Sequence, residues 1–207
     1  MNRIAILATS AALSLSLAAC KKQQDADGSS GGATASKTTG TSAAKVPTLT
    51  VSEADWVEKD LKQVSPLVNI TMKVPKDATL EKNGNGGVDV LVSDFYMLTV
   101  SNLAVSNVAE AITSDKSLSI GHSSYINGKV LVEEPTGFIY TMQMKDEENG
   151  TKYQPETHFA YYVEKDGAIY SIKDEKPMKA FSTPGSAYTE DLAKRVHAIV
   201  KSSAKAN

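Results

Sequence analysis

The chain has one cysteine, one tryptophan and three histidines in 207 residues. A single thiol closes no intrachain disulfide, so the fold needs its stability from packing. His122, His158 and His197 are scattered, and no stretch has the close His or Cys spacing of a zinc site. Neither a metal nor a cofactor is expected. Charge of one sign is also missing. The formal net charge is −2, which provides no basic field to attract nucleic acid. Long apolar runs are missing too: Ile4 to Ala19 is uncharged over 16 residues, short of the about 20 that span a bilayer. There is no Gly-x-Ser-x-Gly elbow to present a strained nucleophile. Gly84-x-Gly86-Gly87 departs from the phosphate-binding Gly-x-Gly-x-x-Gly and reads as a turn.

What is present begins at the N-terminus. Arg3 precedes the apolar run, which ends in Leu17-Ala18-Ala19-Cys20. A basic start, an apolar middle and small residues at the end make a secretory signal. With Cys directly after Leu-Ala-Ala, this segment resembles the lipobox of bacterial lipoproteins. The resemblance implies removal of residues 1–19 and lipidation of Cys20 as the first mature residue. It also implies several acyl chains, palmitate-type groups among them, which hold a protein on a membrane where one chain does not. Lys21, where inner-membrane lipoproteins of this type carry Asp, points to the outer membrane. The mature chain loses Arg3, leaving 21 basic against 24 acidic residues, still near neutral.

Residues 20–46 follow the signal as lipidated Cys and tether. From Lys21 the segment is rich in Gly, Ser, Thr, Ala, Lys and Gln, which bury too little apolar area to offset ordering entropy. Such a tether typically spans roughly 25–30 Å, so the domain is expected near the membrane rather than on it. Residues 47–207 are expected to form one globular domain. Ser52-Glu53-Ala54-Asp55 resembles a helix capping box, and Trp56, Val57, Leu61 and Val64 recur at helical spacing. Val68, Ile70, Met72 and Val74 alternate with polar residues, as in a half-buried strand. A long extended run is expected from Val88 to Val100. Asn107 then caps a second helix, with Glu110 three residues on. Strands follow at 129–133, 136–144, 157–164 and 168–173, the last two joined by Lys165-Asp166-Gly167. Leu192, Val196, Ile199 and Val200 stripe a closing helix that starts near Tyr188-Thr189.

The order is α+β: a largely antiparallel sheet with helices on one or both faces. The strand from Asn69 to Pro75, the hairpin from His158 to Ile172, and the closing helix behind Phe181-Ser182-Thr183-Pro184-Gly185 resemble the PsbP-like α/β/α sandwich of photosystem extrinsic proteins and some periplasmic lipoproteins. That family implies binding or assembly of other proteins, without shared catalytic residues.

Candidate site residues are few. His197 lies between Val196 and Ala198 and reads as a surface or boundary position. His158 alternates with Phe159 and Tyr161, so it is expected exposed on the opposite strand face. His122 has Ser123 and Ser124 beside it and is the one histidine that a hydrolase could use. Glu133 and Glu134 are adjacent on a strand and should face opposite ways, which denies them a shared glycosidase cleft. Asp146-Glu147-Glu148 lacks the calcium-loop spacing and reads as a polar turn. Tyr161, Tyr162 and Tyr170 crowd one hairpin beside Phe159. If Phe159 and Tyr161 face the core, Tyr162 points outward, and Tyr162 with Tyr170 makes a candidate interaction surface.

The expected function is a non-catalytic lipoprotein of the cell envelope, with its domain in the periplasm or at the cell surface. Its partners would be the membrane, through Cys20, and an envelope protein. The alternatives are a module that binds a small amphiphile in an apolar pocket, and a cryptic hydrolase built on His122.

Overall fold

Apolar and polar residues alternate along most of the domain, and the computed structural model turns that alternation into ten strands among the described residues, 49, 51–148, 150–180 and 188–207. The signal at 1–19, Cys20, the tether to residue 46, and Phe181 to Gly185 lie outside them. Trp56–Asp60 (β1), Ile70–Pro75 (β2) and Lys205–Ala206 (β10) form a small sheet in the order β1-β2-β10. The large sheet comprises Thr79–Lys82 (β3), Val88–Ser93 (β4), Tyr96–Leu103 (β5), Tyr125–Glu134 (β6), Gly137–Met144 (β7), Glu156–Lys165 (β8) and Ala168–Glu175 (β9). Its order is β3-β4-β5-β9-β8-β7-β6, and every pairing is antiparallel. Two helices, Val108–Ser119 (α1) and Glu190–Ser203 (α2), complete an α+β architecture.

α2 and the small sheet cover one face of the large sheet. Leu192, Val196, Ile199 and Val200 share one buried cluster with Phe159, Ile172 and Leu98 of the large sheet and with Ile70, Met72 and Val74 of β2. α1 lies on the other face, where Ala111 and Ile112 meet Phe138, Tyr140, Ala160 and Tyr162. Both caps form as the sequence indicates. Asn107 Oδ1 accepts from Glu110 N at 2.9 Å and Thr189 Oγ1 from Leu192 N at 3.2 Å, each such cap contributing about 1 kcal/mol. The Lys165-Asp166-Gly167 turn is also as expected. Asp166 and Gly167 take φ of 52° and 78°, the left-handed pair that a two-residue hairpin needs.

The expected first helix does not form. Ser52 makes no side-chain cap, Glu53–Asp55 is one 3₁₀ turn, and the chain then becomes β1. Trp56 to Asp60 pair with Pro75 to Thr71. β2 offers five backbone partners there, which override a four-residue apolar stripe. Leu61 falls instead in a second 3₁₀ turn, Leu61–Gln63, fully buried. The expected run from Val88 to Val100 is two strands. A turn at Asp94-Phe95 divides it, and Ser93 Oγ accepts from Phe95 N at 3.2 Å.

Candidate functional site

α1 has 12 residues, so it rises about 18 Å and covers only part of β7 and β8. Past its C-terminal end the sheet is left with a cavity of about 280 Å³. Leu118, Tyr125, Met142 and Met144 form its apolar wall. Leu118 is 60% exposed at the rim. Tyr125 and Met144 reach the same side because they are cross-strand partners on β6 and β7. Tyr140 lines the cavity from below, beside His158, its partner on β8.

The polar base is a chain of ions, buried at His158 and Asp174 and partly buried at Glu156 and Lys176. Lys176 Nζ is 2.5 Å from Glu156 Oε1, and Glu156 Oε2 is 3.5 Å from His158 Nε2. His158 Nδ1 is 3.4 Å from Asp174 Oδ1. Asp174 also accepts from Phe159 N at 2.8 Å and from the Tyr96 hydroxyl at 3.4 Å. The Tyr188 ring stacks on His158 with centroids 4.5 Å apart. A second pair closes the α1 side: Lys173 Nζ is 2.6 Å from Asp115 Oδ2, which also accepts from the Tyr162 hydroxyl. Glu175, the remaining carboxylate, accepts from Thr99 Oγ1 at 3.3 Å.

Proton affinities follow from this layout. Burial pulls the His158 imidazole down, but the Asp174 and Glu156 carboxylates outweigh it and hold His158 at about 9. Burial likewise raises Glu156, yet His158 and Lys176 outweigh it and hold the carboxyl at about 2. Partial desolvation raises Glu175, a residue exposed at the end of β9. Burial, and then Asp115, push the Tyr162 phenol far above its usual range, so it stays a donor. A carboxylate beside each ring nitrogen thus favours the charged form of His158.

Several sequence expectations are corrected here. Tyr162 does not point outward; it is 1% exposed, and its hydroxyl is tied to Asp115. Tyr170 is buried too, and it lies on the opposite sheet face, because Tyr162 pairs with Ser171 and Tyr170 with Val163. These two rings therefore form no exposed surface. His158 does face away from Phe159, but it is 4% exposed rather than solvated. His197 is buried as well, packed edge-on by Phe159 and Tyr161 at centroid distances of 5.6 and 5.8 Å. For Tyr162 and His158 the reason is that both faces of β8 are covered, so alternation marks two interiors rather than one interior and one surface; His197 lies on the sheet-facing side of α2.

Other residues lie where the sequence placed them. Glu133 and Glu134 do face opposite ways: Glu133 pairs with Lys116 of α1 and Glu134 with Lys201 of α2, each at 2.6 Å. Asp146 pairs with Lys152 at 2.6 Å and Glu147 accepts from the Tyr153 hydroxyl. His122 is exposed, and its Nδ1 accepts from Ser124 N at 3.2 Å. Among the described residues, no group of three His, Cys, Asp or Glu side chains is arranged to hold a metal ion. No helix among them is long and apolar enough to cross a membrane.

The ion chain is barely legible in the sequence. Glu156, His158, Asp174 and Lys176 sit at the ends of two strands joined by a tight turn, and the hairpin register brings them together. The only sequence sign is the presence of charged residues at both open ends of a hairpin. Compared with known families and curated proteins, the chain matches no family model and no curated sequence.

Proposed function

We propose that the protein is a lipid-anchored lipoprotein of the cell envelope, held by Cys20 on the outer membrane, whose α+β domain is a non-catalytic binding module with its site at the α1 cavity. We further assign the layering of α1, large sheet, and α2 with the small sheet to the PsbP-like sandwich. The lipobox residues support the anchor. The observation that carries the binding reading is the cavity: a Met, Leu and Tyr wall over charges that already neutralise one another. Methionine suits a binding wall, because its flexible thioether adapts to irregular partners. The charged groups favour binding over catalysis, since a carboxylate beside each ring nitrogen favours the charged form of His158 over the free base.

Of the two binding readings, the small amphiphile now has the better support. The protein-partner reading relied on an outward Tyr162, and that ring is buried. The amphiphile reading relied on an apolar-walled pocket of a few hundred Å³, and the cavity is close to that size. A protein partner remains the second reading, favoured by Leu118, exposed by 60% at the cavity rim.

The test is photocrosslinking of the full-length lipidated protein in its own cells, with denaturing recovery and intact-mass measurement. A small discrete mass, lost in Met142→Arg, supports the amphiphile. A protein-sized adduct lost in the same variant supports the second reading. Adducts unchanged by Met142→Arg refute the cavity as the site.

A further inference from the structure

Charge is unevenly distributed around the α1 cavity. Four carboxylates line it, Asp115, Glu156, Asp174 and Glu175, against Lys173, Lys176 and His158. Three of the carboxylates are taken. Asp115 pairs with Lys173 at 2.6 Å, Glu156 pairs with Lys176 at 2.5 Å, and Asp174 lies 3.4 Å from His158. Glu175 stands outside these pairs. Among the described residues its carboxylate has no ion pair, and it accepts from Thr99 Oγ1 at 3.3 Å. The same hydroxyl lies 3.2 Å from Asp89 Oδ1, and a hydroxyl has one hydrogen to give. Asp89 has a second donor in Asn83 Nδ2 at 2.9 Å, so Glu175 is the less satisfied of the two. Lys173 faces Thr99 across the β5–β9 register, but its ammonium is turned to Asp115. Even with His158 counted as a cation, the cavity carries one carboxylate too many. That carboxylate is exposed at the end of β9, where an incoming group can reach it.

The rest of the cavity is apolar. Tyr125 is on β6, Met142 and Met144 are on β7, and Leu118 is near the end of α1. β8 lies between β7 and β9, so the cavity runs across the strands from an apolar end to an acidic one. Neighbouring strands are about 4.8 Å apart, which sets β7 and β9 about 10 Å apart. An extended chain of six carbons covers most of that distance. The volume of about 280 Å³ equals the liquid volume of roughly nine waters, which admits such a chain with a small head.

Resting on the amphiphile reading above, we propose that the α1 cavity takes an amphiphile with a cationic amine head, its ammonium against Glu175 and its alkyl chain along Met142, Met144 and Leu118. The ammonium supplies the missing counter-charge and leaves the three existing pairs intact. A carboxylate head meets Glu175 as a like charge, and a hydroxyl head brings it no charge.

The test uses three probes with the same alkyl part: hexylammonium, hexanol and hexanoate. Each is titrated at neutral pH into the full chain carrying Cys20→Ser, so that no acyl anchor competes, and the ¹³C-methyl signals of Met142 and Met144 are followed. Hexylammonium is expected to shift both signals saturably, about fivefold more tightly than hexanol, which is the scale of a partly exposed ion pair. Its margin over hexanoate should be larger. Glu175→Gln keeps the side-chain shape and an acceptor for Thr99, and it should bring hexylammonium to the affinity of hexanol while Tm stays within a few degrees. Glu175→Lys should reverse the order in favour of hexanoate. Equal or tighter binding of hexanol or hexanoate by the wild type overturns the amine head and leaves the binding module standing. A hexylammonium preference that survives Glu175→Gln overturns Glu175 as its counter-charge. If no probe moves either methyl, this proposal and the amphiphile reading both fail.

Discussion

On one face of the large sheet, α2 and the small sheet close over Phe159, Ile172 and Leu98, all without exposed surface. On the other, α1 closes over Phe138, Ala160 and Tyr162 but leaves Met142, Met144 and a chain of partly to fully buried ions around a cavity. The helices explain the contrast. α2 buries seven of its 14 residues, whereas α1 buries two of its 12. Each face also holds one buried histidine whose Nε2 lacks a hydrogen-bond partner. On the α2 face, burial among aromatic edges pulls His197 down. On the α1 face, burial is outweighed by two carboxylates, and His158 is held up. The same residue type at similar exposure shifts in opposite directions, because desolvation dominates at His197 and two carboxylates outweigh it at His158. The α2 face thus stabilises the domain, and the α1 face keeps the polar groups and the space that binding needs.

Substitutions can break this contrast. The largest effects are expected where burial is complete. Phe159→Ala should lower unfolding free energy by about 3–5 kcal/mol, measured by denaturant titration. On the α1 side only the ion chain should match it. Asp174→Ala removes the acceptor of Phe159 N and the counter-charge of His158, with an expected loss of about 3–5 kcal/mol. A loss under about 1 kcal/mol for Asp174→Ala would show that the ion chain does not hold the hairpin end.

The pH dependence comes next. His158 has a folded value of about 9, above its ordinary 6.5. Its contribution is fully present below 6.5 and is lost as pH rises through 9, at most about 3 kcal/mol. Glu156 works in the other direction: its contribution is present above its ordinary 4.5 and is lost as pH falls toward about 2. His197 is depressed, so acidification below 6.5 costs stability as its buried ring is forced to charge. Thermal unfolding between pH 7 and 10 should therefore show a decline in the wild type that His158→Phe lacks. Parallel curves would contradict the charged state assigned to His158.

Smaller effects sharpen the comparison. Met142 is only half-buried at the cavity wall, and Met142→Ala should cost roughly 1 kcal/mol, below the range for a full core truncation. Glu133→Ala and Glu134→Ala each remove one strand-to-helix ion pair, one on each face. Each should cost under about 1 kcal/mol, less in high salt.

Much of this was legible in the sequence. Asn107 with Glu110, the Asp166-Gly167 turn and the Leu192 stripe are local signals, and local hydrogen bonds decide them. The first helix does not form although Trp56, Val57, Leu61 and Val64 recur at helical spacing, because pairing with β2 outweighs that local pattern. Tyr162 and His158 depart from the sequence expectation for one reason: alternation reports that a strand has two faces but not how many of them are covered, and α1 covers the second. His197 departs for another, since it lies on the face of α2 that packs on Phe159 and Tyr161. The ion chain was hidden further still, since Glu156 and Lys176 are 20 positions apart and meet only through the β8–β9 register.

The central claim is that the α1 face binds and the α2 face does not. The most direct measurement places a photocrosslinking amino acid at Leu118, on the cavity rim, and in a second variant at Lys194, exposed on α2. Both variants are irradiated in the protein's own cells, and intact masses are compared. A discrete added mass at Leu118 and none at Lys194 is the predicted result. Equal labelling at the two positions, or a discrete adduct at Lys194 alone, would contradict it.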